Sequence, residues 1–390
     1  MPVDFEKLKA APRILIEASL KPVAGTRIQP TGFPELGPAT YDAPDDKGGT
    51  VSTLLVESAQ SMANRLEAVC WDEATDNLAP ELMVQENGQK VPGLPYVRVN
   101  LAGLGDGTDT TASLLEFHRL NSPYIMSGVT KAEIKLKLKP DGGETTFAEG
   151  SAFGDVLKPQ LGLATAAKRP PARRAAAAEA APPDASDEEK ERDDVAGVVN
   201  LRKLATVCFK YDPNSLVHGV FLEKIAGRLR HPRALSSFIE ASGVDRADSG
   251  GVKFDRVLPK PKVAGVDAKG GYGNVPFHRT EFTAKSITAF FSIDLAQIRG
   301  YGLPAEASEL LIVLSLWKVR QFLNSNMRLR AACELEIDEK AKGIQVKRPD
   351  GFAFPPATEL ASRLADLMAK CKPYFADPTV TILTWNNPKG

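Results

Sequence analysis

Residues 164–196 cannot take part in a core. The stretch contains KRPPARRAAAAEAAPPDASDEEKERDD: a basic, proline-containing half, an alanine run, then an acidic half. It has no aromatic and almost no large apolar residue, so it buries too little surface to offset its ordering entropy. It reads as a disordered insertion or linker, with an alanine run that could be transiently helical. Its basic part could touch nucleic acid, but a solvated tether is the plainer role. What remains is 1–163 and 197–390, read as two parts of one elaborated domain.

Those parts have ample material for a core, because the 390-residue chain is 43% hydrophobic and 25% charged. The formal net charge is +0, so the overall balance gives no argument for nucleic acid, although a neutral sum can hide a basic face. The first residues, MPVDFEKLKA, lack an apolar signal region, and a cytoplasmic protein is expected. The most apolar segment, Leu310 to Val319, is too short to cross a bilayer and reads as a buried helix, with no membrane partner. Four cysteines lie far apart without paired spacing, which fits core thiols rather than a zinc site or a disulfide framework.

Periodicity gives a mixed set of elements. Arg13 to Leu20, Leu94 to Leu101, Ile134 to Lys139, Val217 to Leu222, Ala234 to Ala241, Ser249 to Leu258, Phe282 to Leu295, Arg328 to Ile337 and Thr379 to Trp385 read as strands. Thr110 to Leu120, Val198 to Phe209, Ser308 to Leu323 and Thr358 to Cys371 read as helices. Four prolines between Lys21 and Ala43 exclude a regular helix there and leave a long loop or edge ribbon. Strands and helices alternate without a βαβ rhythm, which favours α+β over a doubly wound sheet.

The most informative local stretch is Leu54 to Cys70, LLVESAQSMANRLEAVC. An apolar strand runs into a helix with Ser58 as N-cap and Ala59, Met62, Ala63, Leu66, Val69 and Cys70 on one face. The helix start is rich in amide and hydroxyl groups and carries Arg65, a composition suited to phosphate. An ordinary capped core helix has the same features. No HExxH, CxxC or G-x-S-x-G occurs, and Gly270, Gly271 and Gly273 do not fit a Rossmann or P-loop pattern. No metal and no cofactor is expected. What recurs instead are clusters of amide, hydroxyl, ring-nitrogen and arginine groups: Arg27–Thr31, Gln60–Arg65, His118–Ser122, Asn214–His218 and Tyr272–Arg279. Each alone fits a turn or cap. Together, without a catalytic motif, they suit phosphate, sugar and base-edge contacts, with Tyr272 and Phe277 able to stack on bases.

Ten phrases along the chain carry a family resemblance. They are QPTGFPELGPATY, LLVESAQSMANRLE, GLPYVRV, SLLEFHRLNSPYI, KYDPNSLVHGVFLE, RALSSFIEA, SGGVKFDRV, GYGNVPFHRTEFTA, DLAQIRGYGL and MRLRAACELE. In this order, from about Arg13 to Glu336, the chain resembles the backbone subunit of the type I-G (formerly I-U) CRISPR effector complex. That is a Cas-seven-type family of the RAMP group. The resemblance implies a ferredoxin-like or RRM-like core with large insertions, and a binder rather than a nuclease. Further copies of the chain would assemble along a guide RNA (crRNA), beside other subunits of the complex, and present the guide for pairing with target DNA. It also implies a projecting ribbon that folds over the RNA and displaces a base; the loops 21–43 and 260–279 are the two candidates.

On these grounds the RNA-facing candidates are Arg27, Gln29, Ser58, Gln60, Ser61, Asn64, Arg65, His118, Arg119, Asn121, Asn214, His218, Lys253, Tyr272, Asn274, Phe277, His278 and Arg279. One rival is a metal-independent RAMP endoribonuclease that processes repeat RNA with His118 or His278 as general acid or base. A metabolic enzyme without a familiar motif is another.

Overall fold

The computed structural model describes residues 5–33, 37–45, 48–102, 104, 109–137, 144–163, 200–226, 229–253 and 275–386. The tract 164–196 and the loop 260–274 lie outside them.

The architecture is α+β, built on one curled antiparallel sheet. Its strands are β1 (Arg13–Pro22), β2 (Thr40–Pro44), β3 (Thr50–Glu57) and, after helix α1 (Ala59–Ala68), β4 (Leu235–Ser242). The chain continues through β5 (Asp245–Lys253), β6 (Val275–Thr283) and β7 (Ser286–Asp294) to helix α2 (Ala305–Asn324). Strands β8 (Arg328–Arg330), β9 (Cys333–Ile337) and β10 (Ile344–Arg348) follow, then helix α3 (Ala357–Cys371). The spatial order is β8-β9-β1-β7-β4-β3-β2, and β10 also pairs with β1. One face is apolar at every second residue: Ile14, Ile16, Ala18 and Leu20 on β1, and Ile287, Ala289, Phe291 and Ile293 on β7, are buried. Side-chain alternation along a strand makes this pattern possible. Helices α1 and α2 touch each other, α1 packs on β4 and α2 on β7. Helix α2 is apolar around most of its circumference and buries Trp317 and Lys318 completely, as befits a helix enclosed on all sides.

A second, four-stranded sheet joins Thr110–Ala112, Tyr96–Ala102, Val380–Asn386 and Val129–Thr130, with Tyr96–Ala102 and Val380–Asn386 parallel. Buried residues from Leu8 to Leu383 form one contiguous cluster.

Several elements differ from the sequence reading. Thr110 to Leu120 is not a helix: Thr110–Ala112 is a strand, and the chain turns into a 3-10 helix at Arg119–Asn121. Arg119 has φ +51, a backbone region that no α-helix contains. Val217 to Leu222 splits into the end of the helix Asn214–His218, Gly219 at φ +80, and the strand Val220–Leu222. Phe282 to Leu295 is parts of two strands, β6 and β7, rather than one.

That last difference builds a projecting feature. The pairing of β4 with β7 ends at Ser242↔Ser286, and β5 with β6 begins at Asp245↔Thr283. The register is continuous across the gap, so β4–β5 and β6–β7 are two long strands of one ribbon. The bend falls at Gly243, whose φ is +63 and where a side chain would collide with Lys285. Beyond it β5 and β6 leave the main sheet and pair over nine residues each, about 30 Å of ribbon. Arg27–Ile28, from the proline-rich loop, pairs with Thr283 and Phe282 at its base.

Candidate nucleic-acid interface

The strand-to-helix stretch folds as its sequence suggests. Ser58 is the N-cap of α1 and its hydroxyl accepts from the Ser61 amide at 3.3 Å. We expect Ser58→Ala to lower stability by about 1 kcal/mol, read as a shift in the urea midpoint at constant slope.

Around this helix start sits a clamp. Glu57 is fully buried and receives Ser61 Oγ, Arg65 Nε at 2.9 Å and the Arg330 guanidinium. Arg65 also donates to the carbonyls of Arg328 and Leu329, and Arg330 donates to the Gln29 carbonyl at 2.9 Å. The Gln29 backbone N–H in turn donates to the Ala332 carbonyl at 2.8 Å. Burial lowers the pKa of both guanidinium groups. Gln29, Ser61 and Arg65 are thus brought together, but chiefly to fasten α1 and the proline-rich loop to the β8–β9 turn. Asn64 is half-buried beside them, with its Oδ1 unpartnered among the described residues. Gln60 is exposed at the helix start, its Oε1 accepting from Arg233, which also donates to the Ala59 carbonyl at 3.1 Å.

Three candidates prove to be interior residues. Arg119 is buried and makes a two-point ion pair with Glu67 of α1, at 2.8 Å and 2.6 Å, while donating to the Gly219 carbonyl at 3.0 Å. His218 is buried and its Nε2 faces Lys318 Nζ at 2.9 Å. An ammonium can only donate, so Nε2 accepts. Asn214 is buried too, its backbone N–H donating to Asp212 Oδ1 at 3.1 Å, while its side-chain Nδ2 has no partner among the described residues. Burial and the neighbouring Lys318 and Arg119 push the His218 pKa well below its ordinary value. Burial pushes Glu67 up to about 7 against the opposing pull of Arg119, and raises Asp212. The polar cluster His118–Ser122 therefore divides: Arg119 points into the molecule, His118 is exposed, and Asn121 is half-buried with its backbone N–H closing the turn onto the His118 carbonyl at 2.9 Å.

The ribbon carries a third group. Arg27 Nη1 lies 3.1 Å from Glu281 Oε2, with Arg279 Nη1 3.8 Å from the other carboxylate oxygen. His278 is exposed and sits 3.5 Å from Asp248, which also receives Arg246 at 2.7 Å. Arg246 and His278 hold the Asp248 carboxyl below the ordinary range. Lys253 and Phe277 are placed only by backbone register, opposite Val275 and Gly251. Tyr272 and Asn274 lie outside the described residues.

The family model for CRISPR-associated protein GSU0053 matches residues 14–246. The chain belongs to this CRISPR-associated family. The match bears out the CRISPR-associated resemblance read from the sequence. It spans β1, the Glu57–Arg65 side of the clamp, the Glu67–Arg119 pair and β4, and ends at the start of the ribbon. No curated protein sequence matches the chain. Among solved structures, a chain of a "CRISPR RNA-guided surveillance complex, pre-nicking" is 13% identical, with a TM-score of 0.38 over 93% of this chain and 89% of that one. Csc2 of Thermofilum pendens is 10% identical, with a TM-score of 0.27 over 95% and 80%. Both likenesses are distant.

The structure adds residues that sequence reasoning missed. Arg233 directly precedes the segment Ala234 to Ala241 read as a strand, and it reaches α1. Phe221 and Arg230 face each other across the hairpin Val220–Leu222 and Leu229–His231, the guanidinium 5.1 Å from the ring centre. Among the described residues, no group of three or more His, Cys, Asp or Glu side chains could hold a metal, and no helix is long and apolar enough to cross a membrane.

Proposed function

We propose that this chain is a non-catalytic backbone subunit of an RNA-guided CRISPR effector. Copies of it assemble along a guide RNA, beside other subunits, and present the guide for pairing with target DNA. The observation that carries the reading is the ribbon: a hairpin of the central sheet, prolonged in register and bent away at Gly243. Such an arm can fold over a bound strand. Strands β5 and β6 are accordingly our base-displacing ribbon, and β6 takes in residues 275–279 of the candidate loop 260–279; the rival loop 21–43 contributes Arg27 and Ile28 to its base.

The strand order supports reading the core as ferredoxin-like. Taking β1, α1, β4, β7, α2 and β9 in turn gives a βαββαβ chain, in which β9, β1, β7 and β4 lie side by side. Strands β2–β3, the ribbon and the second sheet then count as insertions. On this reading Gln60, His118, Arg27, His278 and Arg279 are the guide-facing group, and the guide is held through backbone and 2′-OH contacts because its sequence varies.

The test is to purify the protein with and without guide RNA and to measure absorbance ratio, particle size and RNA affinity against salt. We expect a large ribonucleoprotein with RNA and loss of it without. The logarithm of affinity should fall with the logarithm of salt at a slope of about −0.7 per phosphate bound. Metal-independent cutting of repeat RNA that His278→Ala abolishes would overturn the non-catalytic reading. A monomer indifferent to RNA would overturn the whole.

A further inference from the structure

We infer that the turn 113–118 is a stacking site for an unpaired nucleobase, with Phe117 as its platform. This rests on the RNA-binding reading above and adds a contact to it.

Phe117 is 70% exposed and Leu115, beside it, 41%. An exposed phenyl ring on a loose loop would carry little meaning, but this turn is fixed from four sides. Leu114 is buried beneath it. The Glu116 carboxylate is turned inward, accepting from Thr111 Oγ1 at 2.6 Å and Ser122 Oγ at 2.9 Å. The Glu116 amide donates to the Ala112 carbonyl at 3.0 Å. Arg119, held at a positive φ, is locked to Glu67. The backbone that carries the ring is therefore already ordered, and binding need not pay to order the turn.

Its surroundings favour a nucleotide over an apolar protein surface. His118 is exposed next to it. The strand Val220–Leu222 packs against Arg119–Asn121 and turns Phe221 outward with the exposed Arg230 across its ring. After this hairpin Arg233 ties the chain to Gln60 at the start of α1. An exposed aromatic face next to an imidazole, with a guanidinium on the hairpin that packs against the following 3-10 turn, matches a base with its phosphate. The carboxylate within the turn is withdrawn from the surface.

The experiment is equilibrium binding of the full chain to single-stranded RNA carrying 2-aminopurine, over a range of salt. Phe117→Ala is expected to weaken binding about 5- to 150-fold, the range for loss of one stacked base. The salt slope should stay unchanged and the 2-aminopurine signal should be lost. Phe117→Trp should restore affinity. Arg230→Ala should instead make the slope shallower by about 0.7. Phe117→Ala binding RNA as tightly as the parent would overturn the site. So would unchanged RNA affinity combined with smaller assemblies, since that outcome assigns the ring to a protein contact. If the unsubstituted protein binds no RNA at any salt, the RNA-binding reading fails, and the site with it.

Discussion

At pH 8.5 Arg119→Met is expected to lower the unfolding free energy by about 3–5 kcal/mol, the cost of leaving one partner of a buried ion pair alone. Both members are buried, and two short hydrogen bonds join them. Methionine keeps much of the volume, so the loss isolates charge from packing. The deficit should also depend on pH. Glu67 faces Arg119 and, more remotely, Lys318 and Asp212, and its folded pKa of about 7 already lies above the unfolded value because burial outweighs Arg119. Removing Arg119 raises it further. A group with a raised carboxylate pKa loses stability as pH rises from the unfolded towards the folded value. Below about pH 7 Glu67 is protonated in both folded proteins, and their stabilities fall in parallel. Above it the parent levels off while the variant continues to fall, so the gap widens. Urea melts at pH 6 and pH 8.5 check this; an equal gap at both would show that Glu67 does not titrate as described. The double variant Glu67→Gln with Arg119→Met should recover much of the loss, since no buried charge is then left uncompensated.

Gly219→Ala is expected to cost about 3 kcal/mol, near the top of the range for a residue forced into a glycine-only conformation. Gly219 has φ 80 and ψ 154. A methyl group there would stand 2.8 Å from the His231 carbonyl oxygen and 3.2 Å from the Arg233 amide and side chain. Neither backbone atom can move without shifting the hairpin that carries Phe221 and Arg230. The Gly219 carbonyl also accepts from Arg119, and the preceding His218 carbonyl accepts from Arg233 at 3.2 Å. This one glycine therefore sets the spacing between the buried ion pair and the start of α1. A lower melting temperature checks the strain. A stability equal to the parent would mean that the hairpin can relax around the methyl.

What could be read from sequence and what could not divides along contact range. The Ser58 cap was legible because its partner is three residues away. Helix α2 and the alternating strand β1 were legible because burial on a helix or strand follows its own period. Arg119 read as a surface cation because the carboxylate that claims it is 52 residues back. His218 faces a lysine 100 residues on. Nothing within a few residues of either tells a bound cation from a free one. The same holds for Arg65, whose amide- and hydroxyl-rich neighbourhood suits phosphate, but whose hydrogen bonds go to Glu57 and to a turn more than 260 residues later.

The sequence by itself determined the mixture of helix and strand, the capped strand-to-helix unit and the CRISPR-associated family. These depend on local periodicity, local hydrogen bonds and the order of residues. Only the tertiary structure decided which polar side chains face outward, that β5 and β6 prolong the central hairpin into a bent ribbon, and that Phe117 stands on a fixed turn. Each of those depends on strand register or on a partner distant in the chain, and a polar residue is a surface group or a core group according to what folds against it.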